Sequence, residues 1–391
     1  MTLNKKRKLL VVSGTRAEYG YVRPLLKLIE GDSEVESETL VTNMHLLEKF
    51  GKSVTEFAKD NIEVTYKIYN TLDGYNNTTM VKSLGVYLLQ LPEILEKSKP
   101  DIVLISGDRG EQLMTAIAAS HLNIPVAHIQ AGEKSGNIDG SVRHAITKIS
   151  HIHFCANQDA YERVIKLGED SFRVFNLGAP LIDEIVAPDF YIKDIRKKLN
   201  LREDRKIFLV VNHSVTEESE DAGEQMKTII EAVEPVDAEV VLIMPNSDAG
   251  SVAIRKTLAT YGSDNLNKSK FDKYRIFYNL SRVEYISIMR EASVMIGNSS
   301  SGILEAPSFK LPVINIGRRQ HGRLQGENVI NCEYNKELII KAINKAESES
   351  FRNSLQNLVN PYGDGRSSEK ILNILKTISL NKKLTQKEIA Y

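Results

Sequence analysis

The chain has 391 residues, 42% hydrophobic and 26% charged, which excludes disorder as a description of the whole. Lys plus Arg and Asp plus Glu each number 51, so no net charge draws it to nucleic acid or to an anionic membrane. Its two cysteines cannot build a disulfide framework and fit a reducing compartment.

The basic opening MTLNKKRK is followed by only a short apolar run, residues 9–12, before Ser13 and Gly14. A secretory segment needs about 7–15 apolar residues and a membrane span about 20, so a cytoplasmic protein without an anchor is expected. Short apolar runs then alternate with amphipathic segments. Strands are expected at 9–13, 102–106, 126–129 and 151–155, with helices at 19–29, 111–121, 143–149 and 158–167. A polar stretch, 186–206, interrupts the pattern. It resumes with strands at 207–211, 239–244, 275–277, 294–296 and 313–316, and helices at 225–233, 249–260, 282–291 and 302–308. Continuous apolar strands alternating with helices imply an α/β protein with parallel sheets covered on both faces. The expected organisation is two Rossmann-like domains, 1–185 and 186–378, facing each other across a cleft. Residues 379–391 form a tail, or a helix docking on the first domain.

Ligands of such sheets sit beyond the carboxyl ends of the strands, so the loops there carry the chemistry. The first, Ser13-Gly14-Thr15-Arg16, offers a tight turn and a guanidinium for phosphate, but it is not a dinucleotide fingerprint, which argues against NAD. Asp108 and Arg109 follow the strand at 102–106. The densest loop, 129–144, holds Gln130, Glu133, Lys134, Asp139, Arg143 and His144 beside three glycines. Crowded carboxylates raise one another's pKa and suit general acid–base work. His151, His153 and Cys155 share a strand face in no zinc spacing, and read as buried structural residues.

In the second half His213 follows a strand directly, and Asn246 and Asp248 have edges suited to a base or a ribose. The strongest local signal is Gly297-Asn298-Ser299-Ser300-Ser301-Gly302, leading from a strand into a helix. Backbone N–H groups and serine hydroxyls there can hold a pyrophosphate without metal, and Glu305 can hold a ribose. Arg318, Arg319 and Arg323 lie in the next loop, and Asn360–Gly365 leads to a polar helix start at Ser367 and Ser368. Together these loops describe a nucleotide on the second domain and a sugar facing the carboxylates of the first.

SGTRAEYG, SGDRGE, the stretch 132–144, Asn212-His213, PNSDAG and IGNSSSGILEAPSFKLPVINIGRRQ, in this order over nearly the whole chain, resemble the hydrolysing UDP-N-acetylglucosamine 2-epimerases. The resemblance implies a glycosyltransferase-B type fold. It also implies conversion of UDP-N-acetylglucosamine and water to N-acetylmannosamine and UDP through a glycal, toward sialic acids. A close branch of the family acts instead on UDP- or GDP-linked N,N'-diacetylbacillosamine, toward legionaminic acid. The resemblance assigns Asp108 and Asp139 as acid/base groups, and His213, Ser299, Ser300, Glu305 and Arg319 to the nucleotide, with Arg16 and Arg109 beside them. It implies no cofactor, no metal, and a homodimer or homotetramer.

Two positions depart from the family. Gln130 stands where an acid is frequent, so either Glu133 supplies that acid or the site serves a different sugar. Ala131 replaces a frequent glycine, and its methyl is expected to narrow the sugar pocket. A non-catalytic nucleotide-sugar sensor would keep Ser299 and Glu305 but dispense with Asp108 and Asp139, and both acids are present.

Overall fold

A computed structural model describes residues 5–48, 51–74, 76–135, 138–187, 190–245, 248–261, 273–388 and 390. Among these the chain builds two parallel sheets. The first contains β1 (Arg7–Ser13), β2 (Val35–Thr42), β3 (Tyr66–Ile68), β4 (Ile102–Ser106), β5 (Val126–Ile129), β6 (Ile152–Cys155) and β7 (Val174–Asn176). Their order is β3-β2-β1-β4-β5-β6-β7. The second contains β8 (Ile207–Val211), β9 (Glu239–Ile243), β10 (Tyr274–Phe277), β11 (Ala292–Gly297), β12 (Val313–Ile316) and β13 (Val329–Cys332). Their order is β10-β9-β8-β11-β12-β13. Every strand pair is parallel. The order reverses between β1 and β4 and again between β8 and β11, and at such switch points the loops splay apart and leave a crevice.

The central strands are apolar because helices cover both their faces. Leu9, Leu10, Ile102, Val103, Leu104 and Ile105 are wholly buried, as are Ile207, Phe208 and Leu209 in the second sheet. The strands not anticipated, β2, β3, β7 and β13, are short or half polar. β2 begins Val-Glu-Ser-Glu, and β13 is partly exposed along its length, so neither shows an apolar run.

The chain divides into two compact units. One comprises 1–134, 138–186 and 362–391, and the other 135–137 and 187–361. This corrects the boundary expected after residue 378, because the chain returns to the first unit at Tyr362. The helix Ser367–Thr377 buries Ile371, Leu372 and Leu375 and packs against the helix Arg16–Glu30. Its first turn is capped from outside: Asp183 Oδ1 accepts from Ser367 N at 2.9 Å and Oδ2 from Ser368 N at 2.6 Å. Arg7 Nη1 donates to the carbonyls of Leu375 at 2.5 Å and Ile378 at 3.0 Å, tying down its end. Beyond it, Arg173 donates to the carbonyls of Leu384 and Lys383, and Lys387 to those of Ser150 and Lys148. Lys387 also pairs with Glu169 at 2.8 Å. Among the described residues no helix is long and apolar enough to cross a membrane.

Candidate active site

In the first unit, the loop after β1 turns directly into the helix Arg16–Glu30. Thr15 is its N-cap in a reciprocal capping box with Glu18. Glu18 Oε2 accepts from Gly14 N at 2.6 Å and Thr15 N at 3.0 Å. Burial, and then the neighbouring Glu111 carboxylate, push Glu18 up to about 8 against the pull of the Gly14 N–H. Arg16 stands on the first turn, half-buried.

The loop after β4 is shaped by Gly107, whose φ of +81° favours glycine, and by His128 beneath it. His128 Nε2 lies 2.7 Å from the Gly107 carbonyl, and burial lowers this histidine to about 3. The imidazole is therefore neutral at physiological pH and donates from Nε2. Asp108 comes next in the chain and forms an ion pair with Arg143, which is almost fully buried. Arg143 Nη1 also donates to the Gln130 carbonyl at 2.9 Å, so one guanidinium joins the loops after β4 and β5. Arg109 is the N-cap residue of the helix Gly110–His121.

The loop after β5 carries Gln130 at φ +67°, with both carboxamide atoms buried and unbonded. Gly132 has φ +75°, and a Cβ there would meet the Ala160 carbonyl oxygen at 2.4 Å. Glu133 is 2% exposed. Its Oε1 accepts from Asn157 Nδ2 at 2.5 Å and its Oε2 from the Tyr362 hydroxyl at 3.4 Å. The next helix runs Ile138–Ile149, starting five residues earlier than expected. Asp139 therefore lies in a first turn and not in a loop, and Arg143 and His144 lie mid-helix instead of opening it. On β6, His153 bonds Glu169 at 3.1 Å, and just before it His151 Nδ1 accepts from Val126 N at 3.1 Å. Among the described residues no cluster of His, Cys, Asp and Glu is poised to hold a metal.

In the second unit the organising residue is Asn298, directly after β11. Its Oδ1 accepts from His213 N and its Nδ2 donates to the His213 carbonyl, both at 2.8 Å. Its own carbonyl accepts from Arg319 Nη1 at 3.1 Å and Gln320 Nε2 at 2.8 Å. The loops after β8, β11 and β12 are thus joined at one residue, by its carboxamide and its backbone carbonyl. Gly297 before it has φ +127°, and a Cβ there would stand 2.2 Å from the Val211 carbonyl oxygen. Only glycine allows the ends of β8 and β11 to touch.

The serine run is held by its own hydroxyls. Ser299 Oγ is 2.8 Å from Ser301 Oγ, which is 2.5 Å from the Tyr285 hydroxyl. The helix entered from this run is shorter than expected: a single α-turn, Ser301–Leu304, then a 3-10 turn, Ala306–Phe309. One turn adds little dipole, so the donors offered there are individual N–H groups and hydroxyls. Glu305 is buried and ion-paired with Arg282, a partner 23 residues away that nothing in the sequence marks. Asp248 is buried in the loop after β9, while Asn246 lies outside the described residues. Arg318 pairs with Glu218 at 2.5 Å and Arg323 donates to Gln320, so both are engaged within the protein. The helix start at Ser367 and Ser368 is filled by Asp183, which removes it from the candidate anion sites.

Asp108, Gln130 and Arg143 therefore meet in the first unit, with Glu133 in the same loop, and His213, Ser299 and Arg319 meet around Asn298 in the second. Residues 27–376 match the family model described as UDP-N-acetylglucosamine 2-epimerase, and the chain belongs to this family. Within it, the chain is a hydrolysing nucleotide-sugar 2-epimerase. It is 37% identical over 386 residues to the hydrolysing UDP-N,N'-diacetylbacillosamine 2-epimerase of Legionella pneumophila, covering 98% of this chain and 100% of that one. It is 35% identical to the hydrolysing GDP/UDP-N,N'-diacetylbacillosamine 2-epimerase of Campylobacter jejuni, with 89% of each chain covered. The solved UDP-GlcNAc 2-epimerase of Neisseria meningitidis, bound to UDP-GlcNAc, shares the fold with a TM-score of 0.79 at 20% identity, covering 94% of this chain and 99% of that one.

Proposed function

We propose that the substrate is UDP-linked N,N'-diacetylbacillosamine, converted with water to 2,4-diacetamido-2,4,6-trideoxymannose and UDP. The observation that carries this reading is the full-length similarity to the Legionella pneumophila enzyme, at 37% identity. UDP-N-acetylglucosamine is the second reading, favoured by a UDP-N-acetylglucosamine 2-epimerase of Neisseria meningitidis, 31% identical over 341 residues. Gln130 supports the first: a neutral amide replaces the acid frequent in the family, and its buried donor and acceptor suit the second acetamido group, which UDP-N-acetylglucosamine lacks.

A carboxylate removes the C2 proton. The C–H electron pair becomes the C1–C2 double bond, and the C1–O bond breaks with its pair leaving on the nucleoside diphosphate. Water then adds its oxygen to C1 of the glycal, and C2 receives a proton on the opposite face. Asp108 and Asp139 are assigned the proton transfers, with Arg143 holding Asp108 in place. Glu133, fixed by Asn157 and Tyr362, is the further acid of this loop. His213, Arg319 and the hydroxyls of Ser299 and Ser300 take up the charge of the departing diphosphate, and Glu305 binds the ribose. Arg16 and Arg109 of the first unit and Asp248 of the second are assigned to substrate binding.

The test is proton NMR in D₂O with a chelator, comparing diacetylbacillosamine linked to UDP and to GDP with UDP-N-acetylglucosamine. Free 2-epimer deuterated at C2, formed fastest from the UDP-linked diacetamido sugar, is expected. Faster turnover of UDP-N-acetylglucosamine would establish the second reading, and release of sugar unlabelled at C2 would refute the elimination.

A further inference from the structure

We infer that Tyr334 is a positioning residue for His213, acting through Asn298 and Asn212 and resting on the reading of His213 as a diphosphate-binding group. Tyr334 lies two residues beyond β13, on the far side of β12 from the loops it serves. Its hydroxyl donates to Asn212 Oδ1 and accepts from Asn298 Nδ2, both at 3.1 Å. Asn298 in turn closes on the N–H and carbonyl of His213. The phenol therefore braces the residue before His213 and the carboxamide that clamps His213 itself.

Three features make this brace specific. A carboxamide can be flipped, but here each end has one assignment. Asn298 Nδ2 must donate to the His213 carbonyl, and Asn212 Oδ1 must accept from the phenol. Burial pushes the phenol up to about 12, so it stays protonated and able to donate. Gly317, at φ +72°, leaves room for the ring: a Cβ there would meet Tyr334 Cε2 at 2.6 Å. With Oδ1 engaged, Asn212 turns its Nδ2, buried and without a partner, away from Tyr334. Arg319 Nε is likewise buried and unbonded, beside the same Asn298 carbonyl. The brace thus orients His213 and leaves two donors for an anion.

Tyr334→Phe removes the hydroxyl and keeps the ring over Gly317. It is combined with His213→Ala in a double-mutant cycle, read by UDP calorimetry and by sugar-nucleotide turnover. Selective labelling reports the His213 imidazole in the ligand-free proteins. The expected result is a shifted His213 signal and kcat reduced about tenfold or more, since small misplacements of catalytic groups are costly. UDP affinity should fall several-fold in the parent and less than about twofold where His213 is already alanine. Equal losses in both backgrounds, or an unmoved His213 signal, would overturn the inference. If Tyr334→Phe does not fold, Asn298→Asp, which keeps the acceptor for His213 N–H and drops the donor, replaces it in the same cycle. Failure of the substrate reading appears separately, as absent turnover in the parent while the ligand-free His213 signal still responds to Tyr334→Phe.

Discussion

Glu18→Gln should stabilise the protein at neutral pH and not in acid. The folded state holds the Glu18 proton up to about 8, whereas the ordinary carboxyl releases it near 4.5. Between those values the unfolded chain binds fewer protons, so the stability tied to Glu18 is present below 4.5 and lost as pH rises toward 8. At about 1.4 kcal/mol per pH unit, the loss reaches about 3 kcal/mol by pH 7. Glutamine carries no titrating proton, and its Oε1 can accept from Gly14 and Thr15 as Glu18 Oε2 does. The assay is urea unfolding followed by circular dichroism at about pH 5 and about pH 7, on variant and parent. Taking the difference cancels the titrating groups that do not interact with Glu18. A variant-minus-parent stability equal at the two pH values would refute a protonated Glu18.

Asp108→Asn and Asp139→Asn should each lower turnover by about a hundredfold or more and leave UDP affinity near the parent's, measured by NMR assay and calorimetry. Ser299→Ala or Glu305→Ala should instead weaken UDP itself, and full activity in Asp139→Asn would remove that residue from the mechanism. Gly297→Ala forces a Cβ to within 2.2 Å of the Val211 carbonyl oxygen and should destabilise the second unit by about 3 kcal/mol or more, read as a lowered Tm. Truncation after Ile378 strips Glu169 of Lys387 and Arg173 of the Leu384 and Lys383 carbonyls, and should cost about 1–3 kcal/mol; an unchanged thermal melt would count against the tail as a structural element. Burial holds His45 and His128 at about 3 and His151 and His153 at about 4, so the unfolded chain protonates them first as pH falls below 6.5. Acid unfolding should therefore take up protons in that range, checked by the pH dependence of the urea midpoint.

The central strands were legible because a strand buried on both faces leaves an apolar run that polar neighbours cannot hide. β4, β5, β8 and β12 fall within the expected bounds for that reason. β2 and β13 were not legible, because a partly solvated strand needs no such run. The start of the helix at Ile138 was obscured by Gly140 and Asp139, which read as loop residues until tertiary packing holds them in a turn.

Local sequence is enough to set the alternation of strands and helices, the position of each chemical loop at a strand's carboxyl end, and the family those loops belong to. Those properties are local: a hydrophobic run, a glycine where the backbone must turn, a serine row where donors are needed. It takes the folded chain to show that residues 362–391 close on the first unit, that Arg143 joins Asp108 to Gln130, that Arg282 answers Glu305, and that Tyr334 reaches Asn212 and Asn298. Each of these pairs residues far apart in the chain, and nothing at either end records the other. The register of the sheets brings them together, and burial then requires that they be satisfied.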